Sequence, residues 1–254
     1  MSGLILSAPS SGSGKTTITL GLLRALRRRG LKIRGAKSGP DYIDPRFHAA
    51  ACGQECFNLD AWAMSSERIT SLASGSDLLV VEGAMGLYDG APPEGRGATA
   101  DLARILRLPV ILVVDAARIA QSIAPLVTGF ASFDRNVQIA GVILNKVGSP
   151  RHESILRQAL DKVGIRVFGA ILRNAGVSQP SRHLGLVQAC ERDDIEDFID
   201  SVADVVEAGI DVEAVLEVAK PLPSRRQIHK LRPPAQRIAI ARDAAFAFAY
   251  PHIL

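Results

Sequence analysis

The chain has 254 residues, of which 47% are hydrophobic and only 5% aromatic. This length can bury a full core and lies at the upper end of the single-domain range. The net charge of +4 suits an anionic small substrate as well as it suits nucleic acid. No apolar run approaches the roughly 18 residues that would cross a bilayer. The first residues lack the basic segment of a secretory signal, so we expect no membrane partner.

Apolar strands alternate with amphipathic helices along most of the chain. This order predicts an α/β fold, a doubly wound and mostly parallel sheet that binds ligands beyond the carboxyl ends of its strands. Five residues with chemical potential fall at those ends: Lys15, Lys37, Glu82, Asp115 and Asn145. We predict strands at 3–8, 32–37, 77–82, 109–115, 137–145 and 165–172, and helices at 15–29, 98–107, 122–132 and 150–163.

The last part of the chain changes in composition. Residues 192–219 are acidic and helical in pattern, so residues 1–219 form the predicted first domain. Residues 220–236 are basic and rich in proline, which is typical of a linker. A fresh strand is predicted at 237–241. It either docks on the first domain or opens a second one at 237–254, and we favour the second domain.

Two groups of residues favour a structural interpretation. Arg24, Arg27, Arg28 and Arg29 close the first helix, where cations complement the negative end of the helix dipole. At about 1.5 Å per residue, they are too far along the helix to share a phosphate with its first residue. The three cysteines, which are Cys52, Cys56 and Cys190, cannot all pair. We expect reduced thiols in a cytoplasmic protein.

A glycine-rich loop follows the first strand in the segment APSSGSGKTT. A strand before it, a helix after it and the GKTT ending are typical of a P-loop NTPase, which binds phosphate through backbone N–H groups and a helix N-terminus. Lys15 would reach the β- and γ-phosphates, and Thr16 would offer its hydroxyl to Mg²⁺. The usual pattern would place its first glycine at Pro9, and Ala8 takes that place only if one more residue intervenes. The predicted nucleotide-binding residues are Ser11, Gly12, Ser13, Gly14, Lys15, Thr16 and Thr17.

Two later loops carry carboxylates. Asp41 and Asp44 lie in the segment KSGPDYIDP, where Gly and Pro residues are expected to prevent a helix. Either aspartate could serve only as a turn residue. Glu82 ends a buried strand at the edge where the P-loop opens, so it is a candidate Mg²⁺ ligand. Asp89 follows in the loop EGAMGLYDG, either as a functional residue or as a turn former.

Other strand ends offer further candidates. Asn145 could pair with a donor and an acceptor on a purine edge, or it could be a turn residue. Asp115 could belong to the site or cap the next helix. Arg182 and His183 could contact an anionic substrate or form a solvated turn.

Five segments of this chain closely resemble the cobyrinate or hydrogenobyrinate a,c-diamide synthases. These enzymes stand with dethiobiotin synthetase and cobyric acid synthase among the ATP-dependent amide-forming P-loop enzymes. The resemblance covers about residues 3–254, and its wording is most similar to the enzymes that act on hydrogenobyrinate. The segments are APSSGSGKTT, GPDYIDPRFH, VEGAMGLYDG, GVILNKVGSPRHE and SRHLGLV.

The resemblance implies a reaction and its site. ATP would phosphorylate the a and c carboxylates of a corrinoid, and ammonia would attack each acyl phosphate. Lys15 and Lys37 would neutralise charge on the moving phosphoryl group, while Asp44 and Asp89 would orient substrate or ammonia. The implied Mg²⁺ ligands are Thr16, Asp41 and Glu82.

It also implies partners. Residues 237–254 resemble the start of a glutaminase domain that supplies ammonia from glutamine, and none of the three cysteines is expected to be its nucleophile. A homodimer stays open as an oligomeric state. The rival interpretations are a partitioning-type ATPase, which would carry a lysine at Ser10, a dethiobiotin synthetase-like carboxylase and a nucleic-acid-binding module. The basic residues form no stripe with interleaved aromatics, which argues against nucleic acid.

Overall fold

The computed structural model describes residues 1–75, 77–173, 188–224, 233–241, 243 and 245–253. The strands are β1 Ser2–Ser7, β2 Ile33–Ser38, β3 Phe57–Leu59, β4 Leu78–Glu82, β5 Val110–Asp115, β6 Ile139–Val147, β7 Val167–Leu172 and β8 Lys220–Pro221. The helices are α1 Lys15–Arg28, α2 Asp44–Cys52, α3 Ser66–Ala73, α4 Thr99–Leu106, α5 Ile123–Phe133, α6 Pro150–Asp161, α7 Ile195–Gly209 and α8 Val212–Glu217, with a short 3₁₀ turn at Ala189–Glu191.

Seven strands form a parallel sheet in the order β3-β2-β4-β1-β5-β6-β7. The chain builds one side of the sheet first and then crosses past β1 to build the other. This reversal beside β1 is the place where doubly wound folds bind their ligands. The short β8 pairs antiparallel with the first residues of β1, at the end of that strand that lies away from the ligand-binding edge. The predicted α/β fold is confirmed.

The sheet is covered on both faces. One apolar core includes buried residues of α1, α2, α7 and α8, and a second core includes buried residues of α3, α4, α5 and α6. β4 is buried throughout and β5 is buried except at its last residue, Asp115, which explains why both are nearly continuous apolar runs in the sequence. The layers leave the carboxyl ends of the strands as the edge where the loops gather.

The structure corrects the prediction between β2 and β4. Residues 44–52 are helical, although the Gly and Pro residues around them were expected to prevent a helix. Pro45 lies in the first turn of α2, where its missing N–H and fixed backbone angle are compatible with a helix. The elements β3 and α3 were also missed, since each is short. Ser65 caps α3 by accepting a hydrogen bond from the backbone N–H of Arg68.

The arginine cluster of α1 has a structural role, but through ion pairs with acidic helices that the sequence interpretation did not include. Arg24 contacts Glu196 at 2.6 Å, Arg28 contacts Asp204 at 2.6 Å, and Arg29 reaches α8. We call Arg24, Arg28 and Arg29 with their partners on α7 and α8 the arginine ladder. Its residues join α1 to α7 at a distance from the P-loop.

The strand predicted at 237–241 is absent, since these residues have no regular structure. No other described strand pairs with them, so their backbone lacks the ladder that defines a strand. Further on, the hydroxyl of Tyr250 donates to the carbonyl of Pro40 at 3.0 Å, and its ring stacks on Tyr42 at 4.5 Å. The assignment of 237–254 to a second domain remains a prediction. Among the described residues, no helix has the length and apolarity needed to cross a bilayer.

Candidate functional site

The loop between β1 and α1 has the backbone of a phosphate-binding loop. Gly12 and Gly14 have φ angles of 77° and 90°, in the left-handed region that favours glycine. A Cβ at Gly14 would lie 2.2 Å from the amide nitrogen of Asn145, so a side chain there would clash. Ser13 donates its hydroxyl to the carbonyl of Ser10 at 2.9 Å, which closes the turn. The predicted residues 11–17 therefore lie together at the start of α1.

Lys15 points into this loop. Its ammonium donates to the carbonyls of Met85 at 2.6 Å and Ser10 at 3.3 Å. Burial lowers the pKa of Lys15, and the nearby Glu82 carboxylate opposes that fall. Met85 has a φ of 50°, which is uncommon for a residue other than glycine. Strained backbone of this kind concentrates at functional sites, and here it aims a carbonyl at the P-loop lysine.

The parallel sheet brings Glu82 to the same place. Glu82 on β4 is in register with Lys37 on β2 and with Leu6 on β1. Its Oε1 accepts hydrogen bonds from the hydroxyl of Thr16 at 2.6 Å and from the ammonium of Lys37 at 2.8 Å. Lys37 also donates to Asp44 at 2.5 Å. The structure thus brings the predicted strand-end residues Lys37 and Glu82 together at one edge of the sheet.

The second oxygen of Glu82 contacts a residue that was not predicted. Nε2 of His48 lies 2.6 Å from Oε2, and neither side chain is exposed. We call Thr16, Lys37, Asp44, His48 and Glu82 the Glu82 cluster. It is a compact hydrogen-bonded set beside the P-loop in which Lys37, Asp44, His48 and Glu82 are buried and Thr16 is half-buried.

Burial and charge act in opposite directions within the Glu82 cluster. Burial alone would raise the pKa of Glu82, but the charge of Lys37 and the His48 hydrogen bond outweigh it and lower that pKa. Burial disfavours the charge on Lys37, and the two carboxylates more than offset this and raise its pKa. Burial, followed by the charge of Glu82, raises the pKa of Asp44 despite Lys37. The cluster thus keeps a charged lysine beside a charged glutamate.

Thr16 and Glu82 fit a magnesium site. Their side-chain oxygens lie 2.6 Å apart, and octahedral Mg²⁺ with ligands at about 2.1 Å spaces neighbouring oxygens about 3 Å apart. Among the described residues, no group of three or more His, Cys, Asp or Glu side chains could hold a metal. Mg²⁺ is usually held by one or two carboxylates with phosphate and water as its other ligands, and one carboxylate beside one hydroxyl is compatible with that coordination.

The other predicted aspartates form turns. Oδ1 of Asp41 accepts from the backbone N–H groups of Ile43 and Asp44 at 2.7 and 2.9 Å, at the start of α2. Oδ2 of Asp89 accepts from the N–H of Gly86 at 2.8 Å. Asp89 is exposed and near enough to Lys15 for its charge to act on that lysine. The metal role of Asp41 and the substrate role of Asp89 remain predictions.

Asn145 closes the other side of the P-loop. Its amide nitrogen donates to the carbonyl of Ser13 at 2.8 Å, so this group already holds the loop. Lys146, which was not predicted, donates to the carbonyl of Gly12 at 2.9 Å and to Asp115 at 2.6 Å. Burial would raise the pKa of Asp115, but the Lys146 hydrogen bond lowers it. Pairing of Asn145 with a purine remains a prediction.

A cavity opens beside these residues. Its volume is about 440 Å³, within the usual range for small-molecule sites. Asp115 is not a cap of α5, the next helix. It accepts a hydrogen bond from the backbone N–H of Ala117 in a turn ahead of that helix. The cavity is lined by Asp115, Ala117, Arg118, Ile119 and Lys146.

Some expectations concern residues away from the site. Cys52 and Cys56 are buried free thiols whose sulfurs lie 3.5 Å apart, so both pack in the core as expected. Arg182 and His183 lie outside the described residues. Asn58 was missed, although it fixes the first carboxylate loop by donating to the carbonyls of Gly39 and Asp41. A polar residue inside a short apolar strand was the available signal for it.

The sheet order, the P-loop at the chain reversal and the magnesium-compatible pair define a P-loop nucleotide-binding protein. Residues 4–187 match one family of this class. The chain belongs to the CbiA family, described as the CobQ/CobB/MinD/ParA nucleotide binding domain.

Curated relatives agree with this placement. The chain is 54% identical over 261 residues to the hydrogenobyrinate a,c-diamide synthase of Brucella ovis, covering 100% of this chain and 60% of that protein. The Rhodobacter capsulatus protein of the same name is 53% identical over 258 residues, covering 99% and 59%. The chain thus spans about 60% of the length of these relatives.

Among solved structures, the Pyrococcus furiosus cell division ATPase MinD aligns with a TM-score of 0.48 at 17% identity, covering 82% of this chain and 99% of that one. The fold assignment rests on the strand order and the family match.

Proposed function

We propose that this chain is the ATP-dependent amide-forming unit of a hydrogenobyrinate a,c-diamide synthase. ATP would phosphorylate the a and c carboxylates of the corrinoid, one at a time. Ammonia would then attack the carbonyl carbon of each acyl phosphate, release phosphate and leave an amide. By resemblance, the ammonia would come from glutamine through a glutaminase domain.

The observation that carries the proposal is the convergence on the P-loop of two lysines and two magnesium-compatible oxygens. Lys15 and Thr16 begin α1, directly after the loop that follows β1, while Lys37 lies on β2 and Glu82 ends β4. Phosphoryl transfer depends mainly on positioning and on neutralising charge, which these residues are suited to supply. The 54% identity to proteins named for this reaction supports the choice of substrate.

The chemistry accounts for the need for ATP. A carboxylate is a poor electrophile because its leaving group would be oxide, and phosphorylation provides a good leaving group. Lys15 would bind the phosphates, and Lys37 would add positive charge where negative charge develops. Burial of both lysines strengthens these interactions by excluding water. When bound, Mg²⁺ would neutralise phosphate charge, held by Thr16, Glu82 and, as we propose, Asp41.

The acceptor side of the reaction is assigned to Asp44 and Asp89. Each would orient the corrinoid carboxylate or the incoming ammonia. The raised pKa of Asp44, caused by burial and by Glu82, suits a carboxylate that accepts a proton from the attacking nitrogen. Asp89 is exposed beside Lys15, where an incoming substrate would meet it.

The test is isotope transfer. The chain is incubated with ATP, Mg²⁺, ammonium and hydrogenobyrinate labelled with ¹⁸O in its carboxylates, and corrinoid and phosphate are measured by mass spectrometry. The acyl phosphate route predicts one ADP per amide and one labelled oxygen in each released phosphate. Amides formed without label in phosphate would overturn the route. ADP released without any corrinoid would favour a partitioning-type ATPase.

Matched arms separate the parts of the proposal. Cobyrinate in place of hydrogenobyrinate tests the substrate, and glutamine in place of ammonium tests the nitrogen source. We expect ammonium to support synthesis by this chain. Asp89→Asn should lower amide formation by on the order of 10²-fold and leave the magnesium requirement unchanged. An unchanged rate in that variant would return Asp89 to its turn-forming role.

A further inference from the structure

His48 lies in the middle of α2 and is completely buried. Its Nε2 lies 2.6 Å from Oε2 of Glu82, while the other oxygen of Glu82 is bonded to Thr16 and Lys37. An ionised carboxylate only accepts, so the proton is assigned to Nε2 of His48. Both carboxylate oxygens of Glu82 are thus held by hydrogen bonds, Oε1 by Thr16 and Lys37, and Oε2 by His48.

The helix and sheet hold the imidazole in this place. Asp44 and His48 are four residues apart on α2, so they share one face of the helix. Asp44 contacts Lys37 and His48 contacts Glu82, which are the two residues in register across β2 and β4. A Cβ at Gly35 on β2 would lie 2.9 Å from the Cβ of His48, so α2 lies close against the bare backbone of β2 at this residue.

The hydrogen bonding of His48 indicates that the role of its imidazole is to contact Glu82. Its Nδ1 is buried and has no hydrogen-bond partner among the described residues. Burying a half-satisfied imidazole destabilises a fold, and an apolar residue of similar size would fill the space without that penalty. Without exposure, the ring has no access to substrate or solvent. Within the part of the chain that the structure describes, its one hydrogen-bond partner is the glutamate that faces the P-loop.

We propose that His48 is a positioning residue for the magnesium ligand Glu82. By holding Oε2, it stops the carboxylate from rotating and keeps Oε1 directed at Thr16. Residues that orient metal ligands from behind commonly change metal affinity 10- to 100-fold when they are replaced. This inference rests on the proposed function in one respect, which is that Glu82 binds magnesium.

The experiment measures magnesium affinity and not turnover. ATP binding to the parent, His48→Leu and His48→Gln is titrated by calorimetry over a range of Mg²⁺ concentrations and once in chelator. His48→Leu should raise the Mg²⁺ concentration for half-maximal ATP binding about tenfold or more. ATP affinity in chelator should stay within about twofold, because the P-loop itself is unchanged. His48→Gln, whose amide nitrogen can occupy the place of Nε2, should restore most of the magnesium affinity.

Glu82→Gln separates this inference from the proposed function. If Glu82→Gln leaves the magnesium dependence unchanged, the metal site itself is wrong. If Glu82→Gln raises the requirement and His48→Leu does not, the metal site stands and the positioning role is overturned. In the Glu82→Gln background, His48→Leu should add little, since the two changes disrupt one interaction.

Folding is checked for each variant by circular dichroism and urea unfolding. A purely structural histidine would lower stability and ATP affinity in chelator, with no separate effect on magnesium, and that result would overturn the proposal. Should His48→Leu not fold, His48→Asn decides the question, because its shorter amide leaves Oε2 of Glu82 without its donor. The expected result is then the same rise in magnesium requirement.

Discussion

The Glu82 cluster and the arginine ladder contain the same kinds of ion pair in different surroundings. In the ladder, Arg28 contacts Asp204 at 2.6 Å, and the aspartate side chain is 71% exposed. In the cluster, Lys37 contacts Glu82 at 2.8 Å, and the glutamate side chain is 0% exposed. Distance alone would rank the two pairs as equals. Burial is what separates a pair that joins two helices from one suited to hold a cation and a phosphate.

The two kinds of pair differ in the surroundings of the carboxylate that remains when its cationic partner is removed. Water solvates a ladder carboxylate that loses its arginine, so exposed pairs contribute about 0–1 kcal/mol. A buried carboxylate that loses its lysine stays unpaired in a medium of low dielectric, which costs about 3–5 kcal/mol. The four predictions below test this contrast.

The largest effect is expected at Lys15, which the phosphates need directly. Lys15→Ala should lower nucleotide affinity and amide formation by on the order of 10³-fold, because one preorganised charge at the transferring phosphoryl group is removed. The fold should survive, since Lys15 bonds to loop carbonyls and not to a buried carboxylate. Calorimetric ATP titration and circular dichroism measure the two properties. Full activity in Lys15→Ala would refute the phosphate-site assignment.

Lys37→Met should destabilise the chain by about 3–5 kcal/mol in urea unfolding without nucleotide, because Glu82 and Asp44 are left buried without their shared cation. The matched control is Lys32→Met, at an exposed lysine just before β2, which should change stability by less than about 0.5 kcal/mol. Equal losses of stability in Lys37→Met and Lys32→Met would show that the charge of Lys37 does not stabilise the Glu82 cluster.

The advantage of the parent over Lys37→Met should depend on pH. The pKa of Glu82 is lowered, so its stabilising contribution is present above the usual value of 4.5 and is lost as pH falls. The pKa of Lys37 is raised, so its contribution is present below the usual value of 10.5 and is lost as pH rises through the higher folded pKa. Asp44 has the opposite sign: its raised pKa favours the folded state on acidification.

The difference in unfolding free energy between the parent and Lys37→Met should therefore be greatest between pH 4.5 and pH 10.5. It should become smaller below and above that range. Urea unfolding of both proteins across this pH range measures it. A difference that stays constant with pH would mean that shape, and not charge, is what Lys37 provides.

The smallest effect is expected in the arginine ladder. Arg28→Ala should cost about 0–1 kcal/mol, and added salt should reduce that cost, since its acidic partners are exposed. Nucleotide affinity should not change. A loss of several kcal/mol in the free energy of unfolding that does not depend on salt would show that the ladder pairs behave like the buried pairs. Burial would then not explain the difference between the two regions.

The sequence could predict the components of the site better than their contacts. The GKTT ending and the strand pattern led to Lys15, Thr16, Lys37 and Glu82. The contact between Lys37 and Glu82, however, depends on β4 returning between β2 and β1, and strand order across a sheet is not encoded by local periodicity.

His48 shows the same limit on a helix. Its role required α2 to begin at Asp44, so that the two residues share one face. The helix was missed because prolines nearby were weighed as breakers, although the first helical turn accepts them. Asp41 and Asp89 remain undecided for another reason: the turn hydrogen bonds that they make are compatible with a further role toward a ligand that arrives later.

The contact between Gly14 and Asn145 ties the P-loop to the end of a strand that is 131 residues away in the chain. The amide nitrogen of Asn145 fills the space that a Cβ at Gly14 would need, at 2.2 Å, and also bonds to Ser13. Position 14 is therefore restricted to glycine twice, by its left-handed backbone with a φ of 90° and by the occupied space. A smaller residue at 145 would remove only the second restriction, so a side chain at 14 would remain strained even in a double substitution.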